Sequence, residues 1–111
     1  IKKMVSAVKR ANFTRKLSEI SKGGKVNIWI QTIKIGDIVL QGIPLEPFIE
    51  YGNKIKSLNP NKKIVLSGYS NGINGYLPTA VAYEEGGYET RNTPLSPESE
   101  ELILNSSHLM H

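Results

Sequence analysis

The feature that most constrains this chain is a strand–helix–strand pattern near its middle. Residues 38–43 form an apolar segment of strand length, and the apolar run 38–40 predicts a strand buried on both faces. Apolar residues then recur at helical spacing over 47–57, where Pro47 suits the first turn of a helix. A second strand is predicted over 63–69. Two strands joined by a helix predict a βαβ-like unit, in which the strands are parallel.

Further elements are predicted on both sides of this unit. Residues 26–35 alternate apolar and polar side chains, as a strand with one better-buried face does, and the Gly-Asp pair at 36–37 predicts a β-hairpin. Three elements are predicted in the C-terminal part. The first is a short helix that is capped by Thr79 and runs to Glu85, and the second is an edge strand over 88–90. The third is a helix that is capped by Ser96, has Pro97 at its first position and runs towards His108. The fold class is therefore α/β or α+β, a mixed β-sheet with flanking helices.

The first part of the chain differs in charge from the rest. Residues 1–25 contain eight of the 14 Lys and Arg residues and one of the 10 acidic residues. Apolar residues at helical spacing over 1–17 predict an amphipathic helix. We interpret 1–25 as a basic helical lead, either a solvated helix face or a surface for phosphates or anionic membranes. The chain begins at Ile1, which suggests a piece of a longer protein.

Composition excludes several kinds of site. The sequence of 111 residues has no cysteine, which excludes disulfides, thiolate metal sites and a cysteine nucleophile. It has no apolar run of about 18 residues, so no membrane-spanning helix is predicted. One domain, or part of one, is the size expected for this length. A large active-site cleft enclosed by this chain alone is therefore not expected.

Two loops follow the carboxyl ends of predicted strands, where functional groups of open α/β sheets collect. Glu46 lies between two prolines in the first loop, and Tyr76 lies in the glycine-rich second loop. Glu46 is a candidate metal ligand or general base, or a helix acid favoured by the dipole. Tyr76 is a candidate metal ligand or oxyanion donor, or a packing tyrosine. Spacing alone favours the structural role for both, although parallel neighbouring strands would bring them together.

The other candidate site residues have weaker support from the sequence. His108 and His111 have a spacing that could bind a metal, but a terminal position favours an ordinary tail. The hydroxyl side chains of Ser67, Ser70 and Thr79 have no histidine nearby in sequence, so a Ser-His-Asp triad is not predicted. Neither a dinucleotide-binding motif, nor a P-loop, nor an HExxH motif is present.

Five segments in order resemble the neutral/alkaline non-lysosomal ceramidase family, most closely its bacterial ceramidase-like members. The segments are IGDIVL at 35–40, GIPLEPF at 42–48, SGYSN at 67–71, GYLPT at 75–79 and AYEEGGYE at 82–89. The resemblance extends over about residues 28–104, within a family-like region that we take as 26–111. It implies the C-terminal part of a zinc-dependent amidohydrolase domain.

The resemblance also implies a zinc ligand set. Zinc in that family is held by two histidines from the N-terminal part and by a glutamate and a tyrosine from the C-terminal part. The family's Pro-Gly-Glu motif matches 44–46, and its Asn-x-x-x-x-Tyr segment matches 71–76, so Glu46 and Tyr76 are the implied metal ligands. The histidines and the family's serine precede every residue of this chain. Leu45 replaces the family's glycine, and Ile73 replaces a tyrosine of the animal and some bacterial ceramidases.

Three hypotheses follow, in decreasing order of preference. The first is a segment of a zinc amidohydrolase that hydrolyses an N-acyl amide such as N-acylsphingosine and is inactive on its own. Its partners would be the remainder of its catalytic domain, a lipid-like amide substrate and, for the fragment, a second copy. The second is a non-catalytic binding or structural module with the same fold. The third is a basic surface-binding domain acting through 1–25, although nucleic acid is not an expected partner. Family members are often secreted or membrane-facing.

Overall fold

The computed structural model describes residues 25–72 and 74–110. The elements in chain order are β1 (Gln31–Ile35), β2 (Ile38–Gly42), β3 (Glu46–Pro47), α1 (Ile49–Leu58), β4 (Lys63–Ser67), β5 (Tyr76–Leu77), α2 (Ala80–Glu85), α3 (Tyr88–Arg91) and α4 (Ser99–Leu109). A mixed three-stranded sheet and a small parallel sheet combine with these helices, which confirms the predicted α/β class. The predicted helix over 1–17 lies outside the described residues.

The larger sheet has the strand order β1-β2-β4. β1 and β2 are antiparallel and joined at residues 36–37, which confirms the predicted hairpin. Gly36 has a φ of 60°, a left-handed conformation that glycine adopts without steric cost. β2 and β4 are parallel, with Val39 opposite Ile64, and α1 connects them. The predicted βαβ-like unit is therefore present.

The core lies between this sheet and the helices. Tyr51 and Ile55 are one turn apart on α1, so both side chains point to the same side, and both are buried. Ile55 packs with Val39 and Ile64 from the sheet. The Tyr51 hydroxyl donates a buried hydrogen bond to the carbonyl oxygen of Pro78 at 2.9 Å. Helix α1 is thereby tied both to the large sheet and to the loop that follows β5.

A second core cluster connects the small sheet to the last helix. Its buried members are Ile43, Leu45, Tyr51, Leu77 and Ile103. Because these residues come from the loop after β2, from α1, from β5 and from α4, their burial holds distant parts of the chain together. An ion pair between Lys54 and Glu100 adds a link between α1 and α4.

The prediction that 38–40 is buried on both faces was wrong. Val39 is buried, whereas Ile38 and Leu40 are each 37% exposed. Successive residues of a strand point to opposite faces, and in the part of the chain described here the helices pack against the Val39 face. The opposite face carries Ile33, Leu40 and Val65 in adjacent register positions, all exposed.

Several predicted boundaries were also wrong. Residues 26–30 are outside β1, which starts at Gln31. Pro47 belongs to β3 rather than to a helix, because that short segment pairs with β5, and α1 begins at Ile49. The last helix begins at Ser99 with Glu98 as its cap residue, so Ser96 and Pro97 lie in the preceding turn.

The predicted edge strand over 88–90 was wrong as well, because Tyr88–Arg91 is a short helix. The Asn92 side chain donates a hydrogen bond to the Tyr88 carbonyl at 2.7 Å, and the Thr90 hydroxyl donates one to the Gly87 carbonyl at 3.0 Å. These local bonds satisfy backbone groups within the turn and compete with strand pairing. By contrast, Thr79 caps α2 as predicted, its hydroxyl accepting from the backbone of Ala82. Among the described helices, none has the length and apolar character needed to cross a bilayer.

Leu45 tests how strongly the second core cluster stabilises the fold. Its side chain is fully buried, so we expect Leu45→Ala to lower the free energy of unfolding by about 2–5 kcal/mol through lost burial and the cavity left behind. The control is Leu102→Ala on α4, where the side chain is 68% exposed and the change should stay within about 0.5 kcal/mol. Urea unfolding of both variants measures the difference, and equal losses would contradict the assigned core.

Candidate functional site

The segment after β2, which includes the short strand β3, holds Glu46 in a stiff backbone. Pro44 and Pro47 flank a segment in which Leu45 is fully buried, so the chain cannot rotate freely on either side of Glu46. Backbone bonds tie this segment to the loop after β4: the Tyr69 amide donates to the Leu45 carbonyl at 2.9 Å, and the Asn74 amide donates to the Pro44 carbonyl at 2.9 Å. The backbone position of Glu46 is thus set by core packing and by the second loop.

The two predicted site residues lie directly opposite each other. Glu46 and Tyr76 are register partners in the parallel pair β3–β5. The Glu46 amide donates to the Gly75 carbonyl at 2.9 Å, and the Phe48 amide donates to the Leu77 carbonyl at 3.1 Å. Paired residues of neighbouring strands project to the same face of a sheet. The carboxylate and the phenol therefore share one face, as the order of the predicted strands indicated.

A second tyrosine, which sequence reasoning missed, contacts the carboxylate. The Tyr69 hydroxyl donates a hydrogen bond to Oε2 of Glu46. The predicted strand over 63–69 included Tyr69, but β4 ends at Ser67, so Tyr69 lies in the loop after the strand, where functional groups collect. What the sequence does not reveal is its backbone conformation, a φ of 53° that turns the side chain towards the first loop.

A third tyrosine packs against Tyr76. The ring centroids of Tyr76 and Tyr88 are 5.9 Å apart with an interplanar angle of 77°, an edge-to-face arrangement that aromatic pairs favour. Tyr88 comes from α3, in the position predicted as an edge strand, and its side chain is exposed. The ring of Tyr88 therefore adds an exposed aromatic surface beside Tyr76.

The electrostatics of the cluster keep the phenols of Tyr69 and Tyr76 protonated. The pKa of Tyr69 rises to about 12, mainly because its hydroxyl donates to Glu46, with desolvation and nearby charge adding to the effect. The pKa of Tyr76 is also raised, first by desolvation and then by the negative charge of Glu46. Near neutral pH the side chains of Tyr69 and Tyr76 are therefore neutral hydroxyl groups, and that of Tyr69 donates to Glu46.

Two oxygen donors of this cluster fit part of a zinc site. A glutamate oxygen and a phenol oxygen on one face are hard donors, and zinc accepts oxygen ligands alongside histidine nitrogens. The described residues contain no group of three or more His, Cys, Asp or Glu that could hold a metal. Catalytic zinc sites use three protein ligands as a rule, so Glu46 and Tyr76 would form a half-site that needs histidines from elsewhere.

The other candidates from the sequence do not join this cluster. Ser70 donates to the Ser67 hydroxyl at 3.0 Å and to the Ser67 carbonyl at 3.1 Å, contacts that close a turn. Thr79 caps α2, and His108 is exposed near the end of α4. The predicted pairing of His108 with His111 lies partly outside the described residues.

Close packing of the two loops depends on glycines. A Cβ atom on Gly68 would lie 2.9 Å from Pro47 Cδ and 3.1 Å from the Leu45 carbonyl oxygen. A Cβ atom on Gly72 would lie 2.9 Å from Pro44 Cβ. The missing side chains let the second loop lie directly on the backbone that carries Glu46.

Comparisons of the chain with protein-family models, with curated proteins and with solved structures found no significant match. Support for a function therefore comes from the geometry of the cluster and from the motifs of the sequence.

Gly68 tests whether contact between the loops shapes the site. We expect Gly68→Ala to lower the free energy of unfolding by about 1–3 kcal/mol, because a proline ring and a backbone carbonyl cannot move away from the new methyl group. Gly52→Ala is the matched control, since a methyl group at that position would have nothing within 4 Å. On helix α1 that change should stabilise the chain by about 0.5–1 kcal/mol. Thermal unfolding distinguishes the two, and a neutral Gly68→Ala would contradict the close approach.

Proposed function

We propose that this chain supplies two ligands, Glu46 and Tyr76, to the zinc centre of an amidohydrolase that resembles the neutral ceramidases. The observation that carries the proposal is the β3–β5 pairing, which sets the two side chains opposite each other. Residues 30 positions apart in the sequence have no local reason to share this register. Their convergence is what two ligands of one metal ion require.

The rest of the ligand set would come from the remainder of the catalytic domain. The sequence resemblance implies two histidines there, which with Glu46 and Tyr76 would give four protein ligands, one more than catalytic zinc sites usually have, so that a bound water would be a fifth ligand. Bound zinc would lower the pKa of a water molecule and polarise the substrate carbonyl. Glu46 would contribute a carboxylate oxygen, and Tyr76 would contribute a phenol oxygen on a ring that packs against Tyr88.

The aromatic surroundings of Glu46 suit a lipid-like amide. Tyr69, which contacts the carboxylate, and Tyr88, which packs on Tyr76, are both exposed and present ring surface to solvent. Exposed aromatic rings next to polar groups bind amphipathic molecules well, because one side chain offers both an apolar face and a hydroxyl. An N-acyl amide such as N-acylsphingosine combines these two characters.

A non-catalytic module is the second candidate, and one observation favours it. The hydrogen bond from Tyr69 satisfies Oε2 of Glu46 without any metal, so the cluster is stable as a purely structural or binding feature. Histidines in the remainder of the protein, at a spacing typical of metal ligands, would favour the amidohydrolase over this module.

The ligand assignment is tested by zinc content of the full-length protein. We expect Glu46→Ala and Tyr76→Phe each to reduce bound zinc and amidase activity, because each removes one donor of the site. Glu50→Ala is the control, since Glu50 is an exposed acid at the start of α1. Zinc content measured by atomic absorption should be unchanged in that variant. An unchanged zinc content in both Glu46→Ala and Tyr76→Phe would contradict the ligand assignment.

The isolated chain provides a separate test. With only Glu46 and Tyr76 as ligands, we expect it to bind zinc weakly or not at all and to show no amidase activity. Isothermal titration calorimetry with zinc measures this, and nanomolar affinity would contradict the division of ligands between this chain and the remainder of the domain.

A further inference from the structure

Tyr69 has a left-handed backbone conformation, which is sterically unfavourable for a residue with a side chain. Its φ of 53° lies in the left-handed region, where a bulky residue with a Cβ atom is uncommon. Two backbone hydrogen bonds hold it there, from the Tyr69 amide to the Leu45 carbonyl at 2.9 Å and from the Ser70 amide to the Ile43 carbonyl at 3.0 Å. Glycine would satisfy the same bonds without strain, so the backbone alone does not explain a tyrosine.

Burial does not explain the tyrosine either. The Tyr69 side chain is 46% exposed, which is little burial for a residue in a strained position. Its distinctive contact is the hydrogen bond from its hydroxyl to Oε2 of Glu46. Strained residues of this kind occur where the surrounding structure forces a side chain into a functional position.

We propose that Tyr69 is a positioning residue that fixes the Glu46 carboxylate, occupying Oε2 so that Oε1 serves as the single metal-binding oxygen. This inference rests on the proposed function, because it assigns a role at the same half-site. A ligating carboxylate needs such a partner, since an unrestrained Glu side chain rotates about three torsions and binds a metal with either oxygen or both. The hydrogen bond selects one orientation before a metal arrives.

Loss of the Tyr69 hydroxyl should therefore weaken zinc binding without unfolding the protein. We expect Tyr69→Phe in the full-length protein to reduce zinc affinity by about 10- to 100-fold, the usual effect of removing a hydrogen-bond partner of a metal ligand. Competition against a chromophoric chelator measures the affinity, and a thermal melt checks folding. Because the ring remains, packing around the loop is preserved.

Tyr83→Phe is the matched control. The Tyr83 hydroxyl donates to the Leu95 carbonyl at 2.9 Å and also interacts with the Thr93 side chain, and neither contact involves the Glu46 cluster. This variant loses one tyrosine hydroxyl, as Tyr69→Phe does, and its zinc affinity should equal that of the wild type. Equal losses of affinity in the two variants would show a general effect of destabilisation and overturn the proposal.

Cobalt substitution gives a readout that a merely structural tyrosine would not affect. The visible absorption bands of bound Co²⁺ respond to the geometry and number of ligand oxygens. We expect Tyr69→Phe to change these bands, because Oε2 becomes free to bind as well, whereas Tyr83→Phe should reproduce the wild-type spectrum. Unchanged bands together with unchanged zinc affinity in Tyr69→Phe overturn the positioning role.

Two further variants distinguish a failure of the positioning role from a failure of the ligand assignment. Tyr69→Gly relieves the backbone strain, so it should melt no lower than Tyr69→Phe yet bind zinc as weakly. A Tyr69→Gly variant with wild-type zinc affinity overturns the proposal. Glu46→Gln tests the proposed function itself: if it binds zinc as the wild type does, the ligand assignment fails, and the role of Tyr69 fails with it. If Glu46→Gln loses zinc while Tyr69→Phe retains it, only the positioning role is overturned.

Discussion

The parallel hydrogen bonding between β2 and β4 is the interaction on which the rest of the described structure depends. Because the two strands run in the same direction, the loops that follow them leave from the same edge of the sheet. The ladder continues past the strand ends, from the Ile43 amide to the Ser67 carbonyl and from the Ser70 amide to the Ile43 carbonyl, both at 3.0 Å. The second, two-stranded sheet is formed by β3 and β5, which follow β2 and β4 in the chain, and it carries both proposed ligands.

The close approach of the two loops requires either small residues or unusual backbone conformations, and the chain uses both. Glycine at 68 and 72 removes the side chains that would separate the backbones. At Tyr69 and Asn71 the chain instead accepts left-handed conformations with full side chains, φ 53° and 63°. Asn tolerates such a conformation, and the Asn71 side chain also donates to Gln31 at 2.8 Å. Tyr69 lacks that tolerance, and its side chain is held by the hydrogen bond from its hydroxyl to Glu46.

Local chemistry explains which elements the sequence predicted correctly. The hairpin needs a glycine where φ is positive, and Gly36 supplies it; the cap of α2 needs a hydroxyl before the first turn, and Thr79 supplies it. The errors occurred where a distant partner decided the outcome. Pro47 suits a helix start in isolation, yet it became part of β3 because β5 was available to pair with it. Leu40 is apolar and lies in an apolar run that is typical of a fully buried strand, but in the described structure the helices pack on the other face of its strand.

The same division applies to the candidate site. The sequence by itself determined the parallel unit, the two loops and the residue types in them, because these follow from periodicity, turn chemistry and strand order. Only the tertiary structure decided that Glu46 and Tyr76 are register partners and that Tyr69 donates to the carboxylate. Register depends on contacts between segments far apart in the chain, and a positive φ at a non-glycine residue depends on surrounding bonds that hold it. Neither is encoded in the neighbouring residues, so neither could be read from them.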